Sequence, residues 1–495
     1  MAKKILLGVA LIGSTSVDLQ IVNRKTGKVI EKVHRSLIAD NDLYTDGVVD
    51  DEQINQLIEM ILRFQQLLAD YDVETFKVWG AYSLASAQNA VYISARIQHA
   101  TGLVVKWLSA SQEAYYGQVA MRYGDQNFPK EQARVCLMSL SSGRLSLGYY
   151  VDGRLQFTRN INLGPIRLAS QLADLDDEIV DLEGLVREFV NSKLADYNYL
   201  LPKIEAADLL LVAGSTVLEH TLGAPLVKAA DFLMHNQALL NDPTQKWLDK
   251  YGFNINQTDI IMPELILLEN FMQVTGAAQI GISRQHILPG IIMEETEQLS
   301  GDEILVHAYE LSQRFQVEPK HQEAVLHFAE QLFDRMRTLH GLSKRSRLLL
   351  QVAALVHDVG SYLNAYHHYE NSETIILADE IDGLTPTEIQ MVALIAHYHS
   401  YELPKDGIDF ATNLSAVEQI EVIKLAALLR LADALDDSRL QKISKITISM
   451  KKPTIELVGY SSEKLYLEQW TFEEKANLFE QIFGRQIILK RKGLE

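Results

Sequence analysis

From residue 4 to residue 38, KILLGVALIGSTSVDLQIVNRKTGKVIEKVHRSLI, apolar positions recur with the short period of strands, broken at Gly13-Ser14-Thr15-Ser16 and at Thr26-Gly27. Small residues and a Thr-Gly pair favour turns, so the stretch predicts a meander of three strands. Residues 134 to 164, RVCLMSLSSGRLSLGYYVDGRLQFTRNINLG, repeat the plan. There a strand meets Ser141-Ser142-Gly143, a second strand follows, and an Asp152-Gly153 hairpin turn leads into a third. Each copy precedes a helical pattern. In DDEQINQLIEMILRFQQLLADY, Ile54, Leu57, Ile58, Ile61 and Leu62 recur at helical spacing, which predicts an amphipathic helix. Two copies of one plan predict two related α/β lobes whose tight turns face each other over a cleft.

Near residue 300 the period changes. EAVLHFAEQLFDRMRTLH, RSRLLLQVAALVHDVG, TPTEIQMVALIAHYHS and AVEQIEVIKLAALLRLADAL all read as helices, amphipathic or buried. After residue 440, ITISMKKPTIELVGY reads as a hairpin, FEEKANLFEQIFG as a helix stopped by Gly484, and RQIILKRK as a last strand. The expected division is 1–130 and 131–300 for the lobes, 301–440 for a helical domain and 441–495 for a small α+β piece.

A chain of 495 residues that is 47% hydrophobic can bury several cores. Its formal charge of −19 speaks against a surface built for nonspecific contact with nucleic acid or anionic lipid. A polyanionic ligand would need a local basic channel. Lys344, Arg345 and Arg347, or Arg485, Lys490, Arg491 and Lys492, are candidates, though each residue taken alone reads first as a solvated helix or terminal charge. The single cysteine, Cys136, cannot form an internal disulfide, which fits a reducing compartment. Lys3 and Lys4 before ILLGVALIG have the order of a secretory signal, but the cleavage pattern is poor and the run continues as a strand. No stretch is long and uncharged enough to span a bilayer. The expectation is a cytoplasmic protein with neither nucleic acid nor membrane as partner.

Turns of small residues let backbone N–H groups and hydroxyls converge on an anion. The candidate phosphate ligands are Gly13, Ser14, Thr15 and Ser16 in the first turn, Ser141, Ser142 and Gly143 in the second, and Gly214, Ser215 and Thr216 in AGST. In their order, LIGSTSVDL, YSLASAQNA, SASQEA, SLSSGRLSL, LGPIRL and AGST resemble the motifs of the exopolyphosphatase/guanosine pentaphosphatase (Ppx/GppA) family over essentially the whole chain. The resemblance implies an α/β fold of two actin-like (ribonuclease-H-like) lobes, followed by an all-helical HD-type domain and a small α+β C-terminal segment. It implies hydrolysis of a terminal phosphoanhydride, in inorganic polyphosphate or guanosine pentaphosphate, with Mg2+, an attacking water, Glu113 of SQEAYYG as base, and a homodimer.

The metal side of the resemblance breaks down. The family's two loop aspartates fall on Leu11 and Ser139, its second-loop glutamate on Ser146, the arginine of its Ala-Leu-Arg segment on Ala85, and its Arg-Glu-Gly turn on Leu288-Pro289-Gly290. A hard dication gains little from leucine and serine, so Mg2+ binding and catalysis should both be weakened. Asp18 and Glu131 are the nearby acids. Glu113 also reads as a carboxylate beside a helix N-terminus, and Asn89 and Arg167, which match family positions, read equally as structural residues.

A second constellation lies in the helical part. His321, then His357-Asp358 in LVHDVG, then Asp433 in LRLADALDD resemble the order of HD phosphohydrolases, whose imidazoles and carboxylates converge on a divalent metal. His368 and His399 are further candidates, while Tyr369 and Asn371 replace two other family positions. The same groups also read as a buried hydrogen-bond network between helices, and His327, His340 and His367 as surface or packing residues. Three functions therefore stand side by side: an exopolyphosphatase-type hydrolase at the cleft, a noncatalytic relative that binds polyphosphate or a guanosine alarmone, and a phosphohydrolase that uses the helical domain.

Overall fold

The duplicated strand plan recurs as two sheets with one topology. The computed structural model describes residues 5–14, 16–37, 47–129, 131, 133–141, 143–173, 181–198, 204–379, 381–399, 413–450 and 453–493, and the chain divides into two units, Met1–Ser300 and Gly301–Glu495.

In the first unit, β1 (Leu6–Ile12), β2 (Ser16–Asn23) and β3 (Val29–Ser36) form an antiparallel meander, and β4 (Thr75–Gly80) and β5 (Val105–Trp107) extend it in parallel, giving the order β3-β2-β1-β4-β5. The second sheet has β6 (Arg134–Leu140), β7 (Leu145–Val151), β8 (Arg154–Ile161), β9 (Leu209–Ala213), β10 (Leu226–Lys228) and β11 (Gln279–Ser283) in the order β10-β11-β9-β6-β7-β8. Read from β8, its first five strands repeat the order and directions of the first sheet, and β10 adds an antiparallel edge. The second hairpin forms where the sequence places Asp152-Gly153, whose φ values of 50 and 72° are both positive, as a two-residue hairpin turn demands.

The helix α1 (Asp51–Asp70) begins at Asp50, whose carboxylate accepts the Gln53 N–H at 2.5 Å. It buries Ile54, Leu57, Ile61, Phe64 and Leu68, while Leu62, placed by the spacing on the apolar stripe, is 44% exposed. That face packs with Ala10, Ile12 and Leu19 into one core, and Met138, Leu147, Val212, Leu265 and Phe271 belong to the other. Three further helices carry site residues: α2 (Ala110–Gly124), α3 (Thr216–Thr221) and α4 (Thr258–Thr275).

The second unit is built on α5 (Pro319–Arg335), α6 (Lys344–Val356), α7 (His368–Ala378), α8 (Pro386–His397) and α9 (Ala416–Ala434). Ser343, Thr385 and Ser415 close capping boxes at the starts of α6, α8 and α9, so the chain marks where these helices begin. A three-stranded sheet follows, β12 (Lys445–Ser449), β13 (Ile455–Tyr460) and β14 (Ile487–Lys492), with α10 (Tyr466–Phe483) between the last two strands. Gly484 ends α10 at φ 62°, the left-handed position a helix stop favours.

Among the described residues no helix is long and apolar enough to cross a membrane. At least three of the seven candidate basic residues are ion-paired: Arg345 with Glu388 at 2.7 Å, Arg347 with Asp334 at 3.0 Å, and Lys490 with Glu456 at 2.9 Å.

Candidate functional site

In the first unit the β1–β2, β6–β7 and β9–α3 turns open on one cleft of ≈ 230 Å³. Gly13, Ser14, Ser16, Ser141 and Gly214 line it, and Glu113 stands in its wall. Thr15 and Ser142 lie outside the described residues. Gly143, Ser215 and Thr216 are absent from the lining. Ser215 is fully buried instead: its hydroxyl donates to Glu264 of α4 and accepts the Leu218 N–H at 3.0 Å, so it caps α3 rather than facing a ligand.

The turns are held from behind. Gly13 N–H donates to Ser16 O at 2.8 Å, Gln53 Nε2 donates to Ser14 O at 2.8 Å, and Ser141 N–H donates to Arg144 O at 2.9 Å. Gly214 has φ +74°, and a Cβ there would stand 2.2 Å from Leu140 O, so only glycine lets the third turn reach the second.

Glu113, in the first turn of α2, accepts the Tyr82 N–H on Oε2 at 2.7 Å. Burial pushes its carboxyl up, against the opposing pull of that N–H and of the Arg144 guanidinium. A carboxylate raised toward neutrality accepts a proton from water more readily. The other acid of the cleft is Asp18, held by His34 Nδ1 at 2.7 Å and by the Ser16 hydroxyl at 3.1 Å. Glu131 is exposed and absent from the lining. Leu11, Ser139 and Ser146 stand in the lining where the family's motif has acids, and no trio of His, Cys, Asp or Glu that could hold a metal lies there among the described residues. The donor set does not fit a resident Mg2+. Asn89 ties two segments through Val49, donating to its O at 2.8 Å and accepting its N–H at 3.1 Å, and Arg167 is exposed.

The second unit brings together what the first lacks. His321 enters from α5, His357 and Asp358 from the end of α6, His368 from the start of α7, His399 from just after α8, and Asp433 from α9. Two trios could hold a metal ion, His321, His357 and Asp358, and then Asp358, His368 and His399. Three of the imidazoles are anchored in one way: His357, His368 and His399 donate Nδ1–H to the carbonyls of Ala354, Ala365 and Ala396, each three residues earlier. That tautomer leaves each Nε2 with a lone pair. All three lone pairs face Asp358 Oδ1, at 3.8, 3.8 and 3.9 Å. His357 Nε2 is fully buried with no hydrogen-bond partner, and His368 Nε2 and His399 Nε2 approach to 3.1 Å. Burial holds the His357 and His399 imidazoles below their usual range. Converging acceptors without a donor are costly, and a cation among them removes the cost.

His321 differs. Burial works against its charge, but the Asp433 and Asp436 carboxylates, at 3.1 and 3.0 Å, outweigh it and push the imidazole up to about 9. His340, buried, donates Nε2–H to Phe333 O at 2.8 Å and accepts the Leu342 N–H on Nδ1 at 2.9 Å, and serves packing. Sequence reasoning missed Glu264, Arg439 and Lys475. Glu264 lies inside an apolar helix, and the two basic residues reach the cluster from distant segments.

Residues 19–298 match the model of the Ppx/GppA phosphatase family, and residues 306–478 that of Ppx/GppA phosphatase, domain III. Among solved structures, an exopolyphosphatase from Cytophaga hutchinsonii is similar over 60% of this chain and 99% of its own, at 14% identity and a TM-score of 0.51, a likeness of fold. An Aquifex aeolicus member of the Ppx/GppA protein family is similar over 59% of this chain and 98% of its own, at 17% identity and a TM-score of 0.49.

Proposed function

Because the chain belongs to the Ppx/GppA phosphatase family, we propose that the cleft of its first unit binds the terminal phosphates of inorganic polyphosphate or a guanosine polyphosphate. Hydrolysis there is slow. The observation that supports this reading is the lining itself: small-residue turns and Glu113 surround one cleft, while Leu11, Ser139 and Ser146 take the places of its acids. The turn donors other than the Gly13 and Ser141 N–H groups, which are spent within the turns, meet phosphoryl oxygens, and Glu113 orients a water and takes its proton. Without carboxylates to hold a dication, the charge that develops on the phosphoryl oxygens is met by those donors and the Arg144 guanidinium of the lining rather than by a metal, which is why turnover is weak.

Phosphate release from polyphosphate by the full chain and by Glu113→Gln tests it. Loss of the slow release in the variant, with polyphosphate binding kept, is the expected result. Equal release by both proteins would remove Glu113 from the chemistry, and binding without release in either would leave a binding protein.

The second unit supports a further reading, an HD-type metal-dependent phosphohydrolase site, favoured by the unpartnered Nε2 of buried His357. The donors fit a divalent ion: His321, His357 and Asp358 form one trio and Asp358, His368 and His399 another, with Asp433 Oδ1 3.8 Å from His357 Nε2. Such an ion, when bound, supplies Lewis-acid polarisation of a phosphoryl oxygen. Asp436 holds His321 at 3.0 Å, and the backbone carbonyls fix the other three rings, so the donor set needs no rearrangement of its helices.

A further inference from the structure

Both carboxylates of the second unit's cluster are already tied to a basic side chain. Asp433 accepts from the Lys475 ammonium, and both residues are buried. Asp358 accepts from Arg439 Nη2 at 2.5 Å. Lys475 comes from α10, and Arg439 from the turn after α9. Arg439 holds φ 55°, a conformation that a bulky residue keeps only where its surroundings enforce it, and its N–H donates to Asp436 O at 2.8 Å.

A pair of ammonium and guanidinium groups carries the same charge as one divalent ion, and here it engages the carboxylates that the ion would use. The two occupancies compete. If Asp358 and Asp433 turn to an ion, buried Lys475 keeps a charge whose carboxylate partner is engaged elsewhere, which is costly, and half-exposed Arg439 keeps Glu318, 4.0 Å away, and a guanidinium open to the cavity. Both line a cavity of ≈ 610 Å³, within the size range of small-molecule sites. An anion in that cavity would restore the balance. Asp437 and Glu474 also line it, and Asp437 accepts the Thr471 hydroxyl at 2.9 Å. Trp470 and Tyr366, 60% and 90% exposed, add ring surface at its wall.

We infer that Lys475 and Arg439 are exchangeable counter-cations: they neutralise Asp433 and Asp358 in the absence of metal, and bind the phosphate group of a ligand in the cavity once a divalent ion holds those acids. The inference rests on the metal reading of this cluster. It makes metal and phosphate binding cooperative, because each removes the charge imbalance that the other creates. The unmet His357 Nε2 and the close His368 and His399 Nε2 atoms are the places where such an ion would be held.

Calorimetric titration of the full chain with Mn2+, and then with inorganic phosphate in the presence and absence of Mn2+, tests it on wild type, Arg439→Gln and Lys475→Met. The Mn2+-dependent part of phosphate binding separates this cavity from the first unit's cleft. Each variant removes a competitor, so Mn2+ should bind several-fold more tightly, while the Mn2+-dependent phosphate affinity falls about tenfold. Mn2+ affinity that drops in the variants, or phosphate affinity that does not change, overturns the inference and leaves the metal reading standing. Silence toward Mn2+ in all three proteins sinks the metal reading itself. Lys475→Met bares a buried acid and risks unfolding, so circular dichroism accompanies it and half-exposed Arg439→Gln carries the test alone if it unfolds. Repeating the phosphate arm of the calorimetric titration with guanosine monophosphate distinguishes a nucleotide from a free phosphate as its source.

Discussion

Leu11 of β1 lies directly opposite Asp18 of β2, as Ser139 of β6 lies opposite Ser146 of β7. Opposed residues of an antiparallel pair share a face, with Cβ atoms about 4.5–5.5 Å apart, and all four line the cleft. Of these four opposed positions only Asp18 is an acid. Leu11→Asp therefore sets a second carboxylate beside Asp18, where the two repel unless a dication joins them. The variant should melt below wild type without Mg2+ and recover with it, gaining more from Mg2+ than wild type does. Thermal melts across a Mg2+ series check this, and a variant indifferent to Mg2+ would show that the missing acid is not what the cleft lacks.

Glu264 couples the third turn to pH. Burial pushes its carboxyl up to about 7, against the pull of the Ser215 hydroxyl and of the Val217 N–H at 2.9 Å. The unfolded chain releases this proton near its ordinary value of 4.5, while the folded chain keeps it to about 7. Between those values the native state binds more protons, so unfolding free energy falls as pH rises, by on the order of 3 kcal/mol in total. The contribution is complete below pH 4.5 and lost above 7. Urea denaturation from pH 4 to 8 should show this slope in wild type and a flatter one in Glu264→Gln. Parallel slopes would place the pH dependence elsewhere.

The meanders and the His and Asp cluster were legible because local chemistry writes them: alternation and Asp152-Gly153 for the strands, and fixed residue types at helix ends for His357-Asp358 and Asp433. Lys475 and Arg439 were not, since they meet their acids 42 and 81 residues away with no local pattern to mark the pairing. Ser215 shows a different limit. A serine after glycine serves a phosphate turn or a helix cap equally well, and only the burial of its hydroxyl against Glu264 tells the two apart.

Gly214 is the tightest point of the cleft's frame. Alanine would need both a left-handed backbone and relief of a 2.2 Å contact with Leu140 O, a backbone atom that cannot rotate away. Gly214→Ala should cost about 2–4 kcal/mol and shift the third turn off the cleft. Its melting temperature and its polyphosphate affinity should fall together. A stable variant with unchanged affinity would mean that the turn has room the geometry denies it.

His357 isolates the metal question from catalysis. Its Nδ1–H is spent on Ala354 O at 2.9 Å, and its Nε2 is buried without a partner, so the ring costs stability unless a cation meets it. His357→Phe replaces the ring with one of similar shape and no lone pair. Without added metal the variant should be as stable as wild type or slightly more so, despite the loss of one hydrogen bond. With Mn2+ in hundredfold excess over its dissociation constant, wild type should gain about 2.7 kcal/mol, and the variant little. Opposite signs in the two conditions cannot come from packing, because packing does not know whether Mn2+ is present. A wild type whose melt is unmoved by Mn2+, Zn2+ and Fe2+ alike would return the cluster to a hydrogen-bond network between helices.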